Sequence, residues 1–233
     1  MGGGTLANTQ LYTDLEARLN DLRINLLPQT FDPMGNYDAK SIDLAKGYML
    51  LVHSEIEYYI ESICHKFIDL QISKYSRDKI PTECALALMT YAKLEWDVNS
   101  EESIIPNIIS SNTKHTISTL LNKMLRSYNQ IVNSNNGIKT KNLQKLIAPT
   151  GMIEYFPDVE MENFNSFGGN RGKLAHVSTT HIGFTIDPSD QYNKLTNNLL
   201  PALKTFDEKL VDREPNLSTV VWSDVKPGEL SAA

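Results

Sequence analysis

Apolar positions fall at helical spacing along nearly the whole chain. Between Ala39 and Tyr75, the residues Ile42, Ala45, Met49, Val52, Ile56, Ile60, Ile63, Phe67 and Leu70 recur at steps of three and four. That pattern lays one apolar stripe along a helix. Gly47 alone interrupts it. At 1.5 Å per residue, the stripe predicts a central helix of roughly 50 Å. Upstream, Leu11, Leu15, Leu19, Leu22 and Leu26 repeat at the same spacing, and Pro28 and Pro33 close that first helix.

Further helices are predicted from Pro81-Thr82-Glu83 to before Asp97, from Thr116 to Ile131, and from Lys139 to Ile147. The run Asn133-Ser-Asn-Asn-Gly137 reads as a turn in which Asn-Gly supplies positive φ. Gly168-Gly169-Asn170 punctuates the chain again and precedes a helix of about ten residues with Asn170 as its expected N-cap. Asp187-Pro188 opens the last helix, with Asp as cap and Pro at the first helical position, and Pro201 is expected to kink or split it. His181 to Ile186 and Ser218 to Trp222 read as one or two short C-terminal strands. The expected organisation is a flexible leader over 1–8, one all-α bundle over 9–213 and a tail over 214–233.

Composition narrows the function classes. The 233 residues carry 22 Lys+Arg against 28 Asp+Glu, a net charge of −6, with 41% hydrophobic residues. That balance suits a globular domain. It argues against indiscriminate duplex coating, which needs a broadly basic face. No apolar run approaches the roughly 18 residues of a membrane span, and no basic and apolar secretory leader opens the chain. Cys64 and Cys84 form no Cys-x-x-Cys pair, so a reducing cytoplasm is the expected setting and both thiols read as small core residues. No phosphate loop, dinucleotide fingerprint or Gly-x-Ser-x-Gly elbow occurs. His53, Glu57, Glu61 and His65 lie four apart on the long helix, but a di-metal bundle wants Glu-x-x-His on two helices. They read as a solvated or interface stripe, with no metal and no cofactor expected.

One constellation carries chemistry. Arg171-Gly172-Lys173-Leu174-Ala175-His176 places an arginine and a histidine with four residues between them. Histidine can move the protons of phosphodiester cleavage near neutral pH. The planar guanidinium fork can neutralise charge on a phosphorane-like transition state. A helix start over Asn170 to Lys173 would add backbone donors for an anion. The spacing alone is common, and its surroundings give it weight.

Three segments resemble the HEPN superfamily (higher eukaryotes and prokaryotes nucleotide-binding), and within it the RiboL-PSP-HEPN type. They are Gly47-Tyr-Met-Leu-Leu-Val-His-Ser-Glu-Ile-Glu-Tyr-Tyr-Ile-Glu61, Asn136-Gly-Ile-Lys-Thr-Lys-Asn-Leu143 and Arg171-Gly-Lys-Leu-Ala-His176. With the helices between them they span roughly residues 9 to 212. The resemblance implies a homodimer whose two Arg/His motifs form one composite RNA cleft. It implies metal-independent endoribonuclease activity, often in toxin–antitoxin or anti-phage systems with an antitoxin or defence partner. His176 would be the acid/base residue and Arg171 the phosphate stabiliser. Asn170, Lys173, Glu57 and His53 would support them, the last two by fixing the His176 tautomer. Many members of the superfamily carry a polar residue directly after the arginine, where this chain has Gly172. That departure and the acidic balance favour an alternative, a non-catalytic bundle that binds RNA, a nucleotide or a partner protein.

Charge location sharpens the picture. Lys139, Lys141, Lys145, Arg171 and Lys173 cluster around the turn and the motif, whereas Glu101-Glu102, Asp158 to Glu162 and Asp207-Glu208 hold acid elsewhere. A local basic cleft for RNA is therefore compatible with a net acidic chain.

Overall fold

The computed structural model describes residues 8–96, 117–176 and 186–224. The described residues form seven α-helices with short 3₁₀ turns and no strand. Helix α1 is Gln10–Leu26 and α2 is Ala39–Asp78; the latter's 40 residues span about 60 Å. Helix α3 is Glu83–Trp96, α4 is Ile117–Asn133 and α5 is Thr140–Ile147. Helix α6 is Asp158–His176. The last rod, α7, is α-helical over Pro188–Lys194, π-helical over Leu195–Leu199 and α-helical again over Leu200–Arg213.

Local signals explain most boundaries. Thr9 caps α1 by accepting from the Tyr12 N–H, and Asp38 caps α2 by accepting from the Ser41 N–H. Helix α2 passes through Gly47 and ends where Lys79 turns left-handed at φ 59°. Asp187 accepts from the Ser189 and Asp190 N–H groups, with Pro188 in the first helical turn, as the sequence predicts. Pro201 brings no N–H to the helical ladder, and the π-helical stretch immediately before it absorbs the resulting change of register.

Helix α2 is the hub. Helix α1 lies antiparallel along it: Tyr12 meets the Tyr59 ring edge-on at 6.0 Å, and Arg18 bonds Glu55 at 3.0 Å. The predicted stripe is the buried face, with Ala45, Met49, Val52, Ile56, Ile60 and Ile63 at 0% exposure. A buried carboxylate ties the start of α1 and the last rod to this hub. Asp207 of α7 accepts from the Thr9 N–H and hydroxyl, each at 2.7 Å, and from the Tyr59 hydroxyl at 2.8 Å. Cys64 and Cys84 are buried free thiols.

Two expectations change, and a third falls outside the described residues. Residues 218–222 form no strand: 3₁₀ turns occupy Pro215–Thr219 and Trp222–Asp224, Leu217 is fully buried, and Trp222 stacks on Tyr58 at 4.9 Å. The other expected strand lies outside the described residues except for Ile186. Most consequential, no helix begins at Asn170. Helix α6 starts at Asp158 and runs straight through Gly168-Gly169-Asn170. Two adjacent glycines in a helix interior cost about 1 kcal/mol each relative to alanine. Packing supplies the reason for one of them. A Cβ at Gly168 would sit 3.3 Å from the Lys139 Cγ and 3.4 Å from the Lys139 backbone N, so glycine lets α6 lie close against residues 138–139.

Candidate functional site

Where α2, the α4–α5 turn and α6 converge, they enclose an open cleft of ≈ 480 Å³. It is lined by His53 from α2, Asn136, Gly137 and Lys139 from the turn, and Gly168, Gly169, Arg171 and Gly172 from α6. Four glycines make its walls largely backbone. Among the described residues the lining holds two cations and no carboxylate.

The turn is built from α2. Glu57 Oε1 accepts both the Gly137 backbone N–H and the Asn135 side-chain amide, the latter at 3.1 Å. The same amide donates to Glu61 Oε1 at 2.7 Å. From the other side, the Asn142 amide donates to the Asn136 and Gly137 carbonyls at 2.9 and 3.1 Å. Gly137 takes φ +112°, the positive value expected from Asn-Gly. The stripe of acids on α2 is therefore not a solvated face. Glu57 and Glu61 turn inward and hold the cleft wall. Burial, with Glu57 nearby adding to it, pushes the Glu61 carboxyl up to about 7 against the Asn135 hydrogen bond.

His53 forms the floor. It is 1% exposed, and its Nδ1 lies 3.5 Å from Glu57 Oε2 without a hydrogen bond. Burial first, and the positive charge of Arg171 second, lower its pKa to about 4. The imidazole is neutral at physiological pH. Arg171 is half-buried and has no carboxylate or hydrogen-bond partner among the described residues.

The structure thus brings together Arg171, His53 and Lys139, with Glu57 immediately behind. Lys141 and Lys145 are exposed on α5 and lie outside the lining. Asn170 is half-buried in mid-helix, also outside the lining, so it caps nothing. The backbone N–H donors expected of a helix start at residues 170–173 are consequently spent inside the α6 ladder. Lys173 and His176 belong to α6 by backbone, but their side chains lie outside the described residues. In an α-helix, positions five apart stand about 140° apart around the axis, which is the relation between positions 171 and 176 of α6.

The RiboL-PSP-HEPN family model matches residues 13–212. The chain belongs to that family. No curated protein and no solved structure gives a significant match. Membership of this HEPN type supports an RNase-like or nucleotide-related role, and the seven-helix bundle agrees with a HEPN domain.

Within this RiboL-PSP-HEPN domain, Asn135, Glu61, Gly137 and Gly168 shape the cleft, yet sequence reasoning gave them no part in it. A signal existed: two acids four apart on α2 and an Asn-Asn-Gly turn each had unexplained polarity. Nothing in the linear chain says that they meet. Among the described residues, no cluster of three or more His, Cys, Asp or Glu could hold a metal ion, and no helix is long and apolar enough to cross a membrane.

Proposed function

We propose that this RiboL-PSP-HEPN protein is a metal-independent endoribonuclease acting as a homodimer. One observation carries the reading: Arg171, half-buried in a glycine-walled cleft, lies with Lys139 and a neutral His53 and no carboxylate among the described residues of the lining. A half-buried guanidinium in such a lining is suited to receive an anion, and a phosphodiester fits its planar fork. Backbone walls let a phosphate chain approach closely, and the two cations concentrate positive potential within an acidic protein.

In this reading Arg171 neutralises charge on the phosphorus, with Lys139 beside it. The ribose 2′-oxygen attacks phosphorus and gives its proton to His176. The leaving 5′-oxygen takes a proton from His176 of the partner subunit. The products are a 2′,3′-cyclic phosphate and a 5′-hydroxyl. The register of positions 171 and 176 supports a composite site, because one copy of α6 does not present both on a single face. Closed two-fold pairing is also the commonest oligomeric arrangement. Asn170 and Lys173 are assigned to support of the motif, and Lys141 and Lys145 to RNA contacts beyond the cleft. The same proposal assigns the protein to the cytoplasm and to a toxin–antitoxin or anti-phage system with an antitoxin or defence partner.

The test is cleavage of tRNA and mRNA in EDTA by wild type and by His176→Ala. Wild type is expected to cut and the variant to lose at least about a hundredfold, in line with removal of a general acid–base group. Intact RNA with wild type, or equal cutting by the variant, sinks the enzymatic reading. Intact RNA that nonetheless binds in an Arg171-dependent manner selects the alternative, a non-catalytic RNA- or nucleotide-binding bundle. Gly172 in the lining, where many superfamily members carry a polar side chain, is the observation that favours it.

A further inference from the structure

His53 has a position that support of another histidine does not account for. Its edge is part of the cleft floor beside Arg171. Its Nδ1 lies 3.5 Å from Glu57 Oε2. A nitrogen that faces a carboxylate carries the proton, because a lone pair there would be repelled; this leaves the Nε2 lone pair as the acceptor of the neutral ring. Nε2 in turn lies next to Gly137. A Cβ at that residue would stand 3.6 Å from Nε2 and 3.7 Å from Cε1. With φ at +112° the residue is a glycine for backbone reasons, and the absence of its side chain keeps the approach to Nε2 clear. The ring is held below its ordinary pKa by burial and by Arg171, so it stays an acceptor and adds no second charge beside the guanidinium.

An enclosed acceptor next to an anion-seeking arginine is complementary to a phosphate that carries a hydroxyl on the adjoining sugar carbon. We propose that His53 is a specificity residue: in the bound state before attack its Nε2 accepts a hydrogen bond from the ribose 2′-hydroxyl next to the phosphate held by Arg171, and so selects RNA over DNA. The hydroxyl turns to give its proton to His176 only as its oxygen attacks phosphorus. The inference rests on the proposed nucleic-acid reading of the cleft. It assigns His53 a direct contact with substrate in place of a supporting role toward His176. The energetic basis is asymmetric. A deoxyribose leaves the enclosed Nε2 unpaired, and sites built around a substrate hydroxyl reject analogues that lack it. The 2′-hydroxyl is the group by which protein sites tell RNA from DNA.

The experiment is fluorescence anisotropy on the full-length His176→Ala protein in EDTA, so that binding is read without cleavage. Three oligonucleotides of one sequence are compared: all-ribose, all-2′-deoxy and 2′-fluoro, whose fluorine cannot donate. The ribose form is expected to bind about tenfold more tightly than either other form, the effect of one enclosed hydrogen bond. Adding His53→Phe should bring all three within about twofold, at the level of DNA. Equal binding of ribose and 2′-fluoro forms with His53 intact overturns the inference, as does a ribose preference that survives His53→Phe. The first comparison needs no substitution at His53, so it decides even where the buried replacement impairs folding. Cleavage by wild type, measured separately, tests the catalytic reading: an enzyme that cuts RNA without this preference keeps its activity and loses only the role assigned to His53.

Discussion

Glu57 accepts the backbone N–H of Gly137, so the long central helix carries the anchor of the turn that walls the cleft. The two residues are 80 positions apart. Through this contact a carboxylate on the hub sets the position of Asn136, Gly137 and Lys139 relative to Arg171.

Glu57→Ala should therefore loosen the wall. The Gly137 N–H, in a buried residue, loses its acceptor and Asn135 loses one of its own, which predicts a loss of about 1–3 kcal/mol. Urea unfolding measures this, and RNA affinity should fall with it. Glu57→Gln keeps an oxygen for the same N–H and is expected to lose less. Equal stability of wild type and Glu57→Ala would refute the anchoring role.

Two cleft residues should give opposing pH dependences of stability. Glu61 is raised from 4.5 to about 7 in the folded state. The folded protein therefore binds more proton than the unfolded chain between these values, and stability falls as pH rises through that window. His53 is lowered from 6.5 to about 4. Here the unfolded chain binds more proton, and stability rises as pH goes from 4 to 6.5. Glu61→Gln removes the first effect and should gain on the order of 1–2 kcal/mol relative to wild type between pH 5 and pH 8, after allowance for solvent screening. Chemical denaturation at both pH values checks it. A constant difference between the two proteins across that range refutes the assignment.

The α6 glycines should respond differently to alanine. A Cβ at Gly169 meets nothing within 4 Å, so Gly169→Ala is expected to gain about 0.5–1 kcal/mol from helix propensity. At Gly168 the Cβ stands 3.4 Å from the backbone N of Lys139 and 3.4 Å from the Ile138 Cγ1. Gly168→Ala should gain less, or lose, because backbone does not swing aside as a side chain does. Thermal melts of both variants decide, and an equal rise in Tm would show that α6 does not press on the turn.

Asp207→Ala tests the tie between α1, α2 and α7. The substitution strands the Thr9 N–H, the Thr9 hydroxyl and the Tyr59 hydroxyl in a site that is 0% exposed. A loss of about 3 kcal/mol or more is expected in equilibrium unfolding. Cleavage per folded molecule should stay unchanged, since Asp207 is outside the cleft. A loss below about 1 kcal/mol would mean that the carboxylate costs as much to bury as its bonds return.

The sequence shows α2 readily because periodicity is a local property. Ile42 to Leu70 announce a buried face whichever elements pack on it. Asp187-Pro188 announces its helix start for the same reason, since cap and first turn are neighbours in the chain. Gly168-Gly169 misleads because a glycine pair followed by asparagine has the local appearance of a break and a helix cap. Only the proximity of Lys139 and Ile138, about thirty positions upstream, explains a glycine inside a helix there. Ser218 to Trp222 misleads in the same way: its β-branched and aromatic residues suit a strand, but no partner strand exists among the described residues, and Leu217 and Trp222 instead find the bundle.

The all-α class, the central helix and the family resemblance that singles out Arg171 and His176 are legible in the linear chain. Those follow from spacing and residue type, which a linear chain displays. Tertiary structure alone decided that Arg171 sits in mid-helix beside a neutral histidine, that two acids on α2 hold the cleft wall, and that Lys139 alone of the three turn lysines lines it. Burial and partner charge fix these properties, and both arise only when segments distant in sequence are brought into contact.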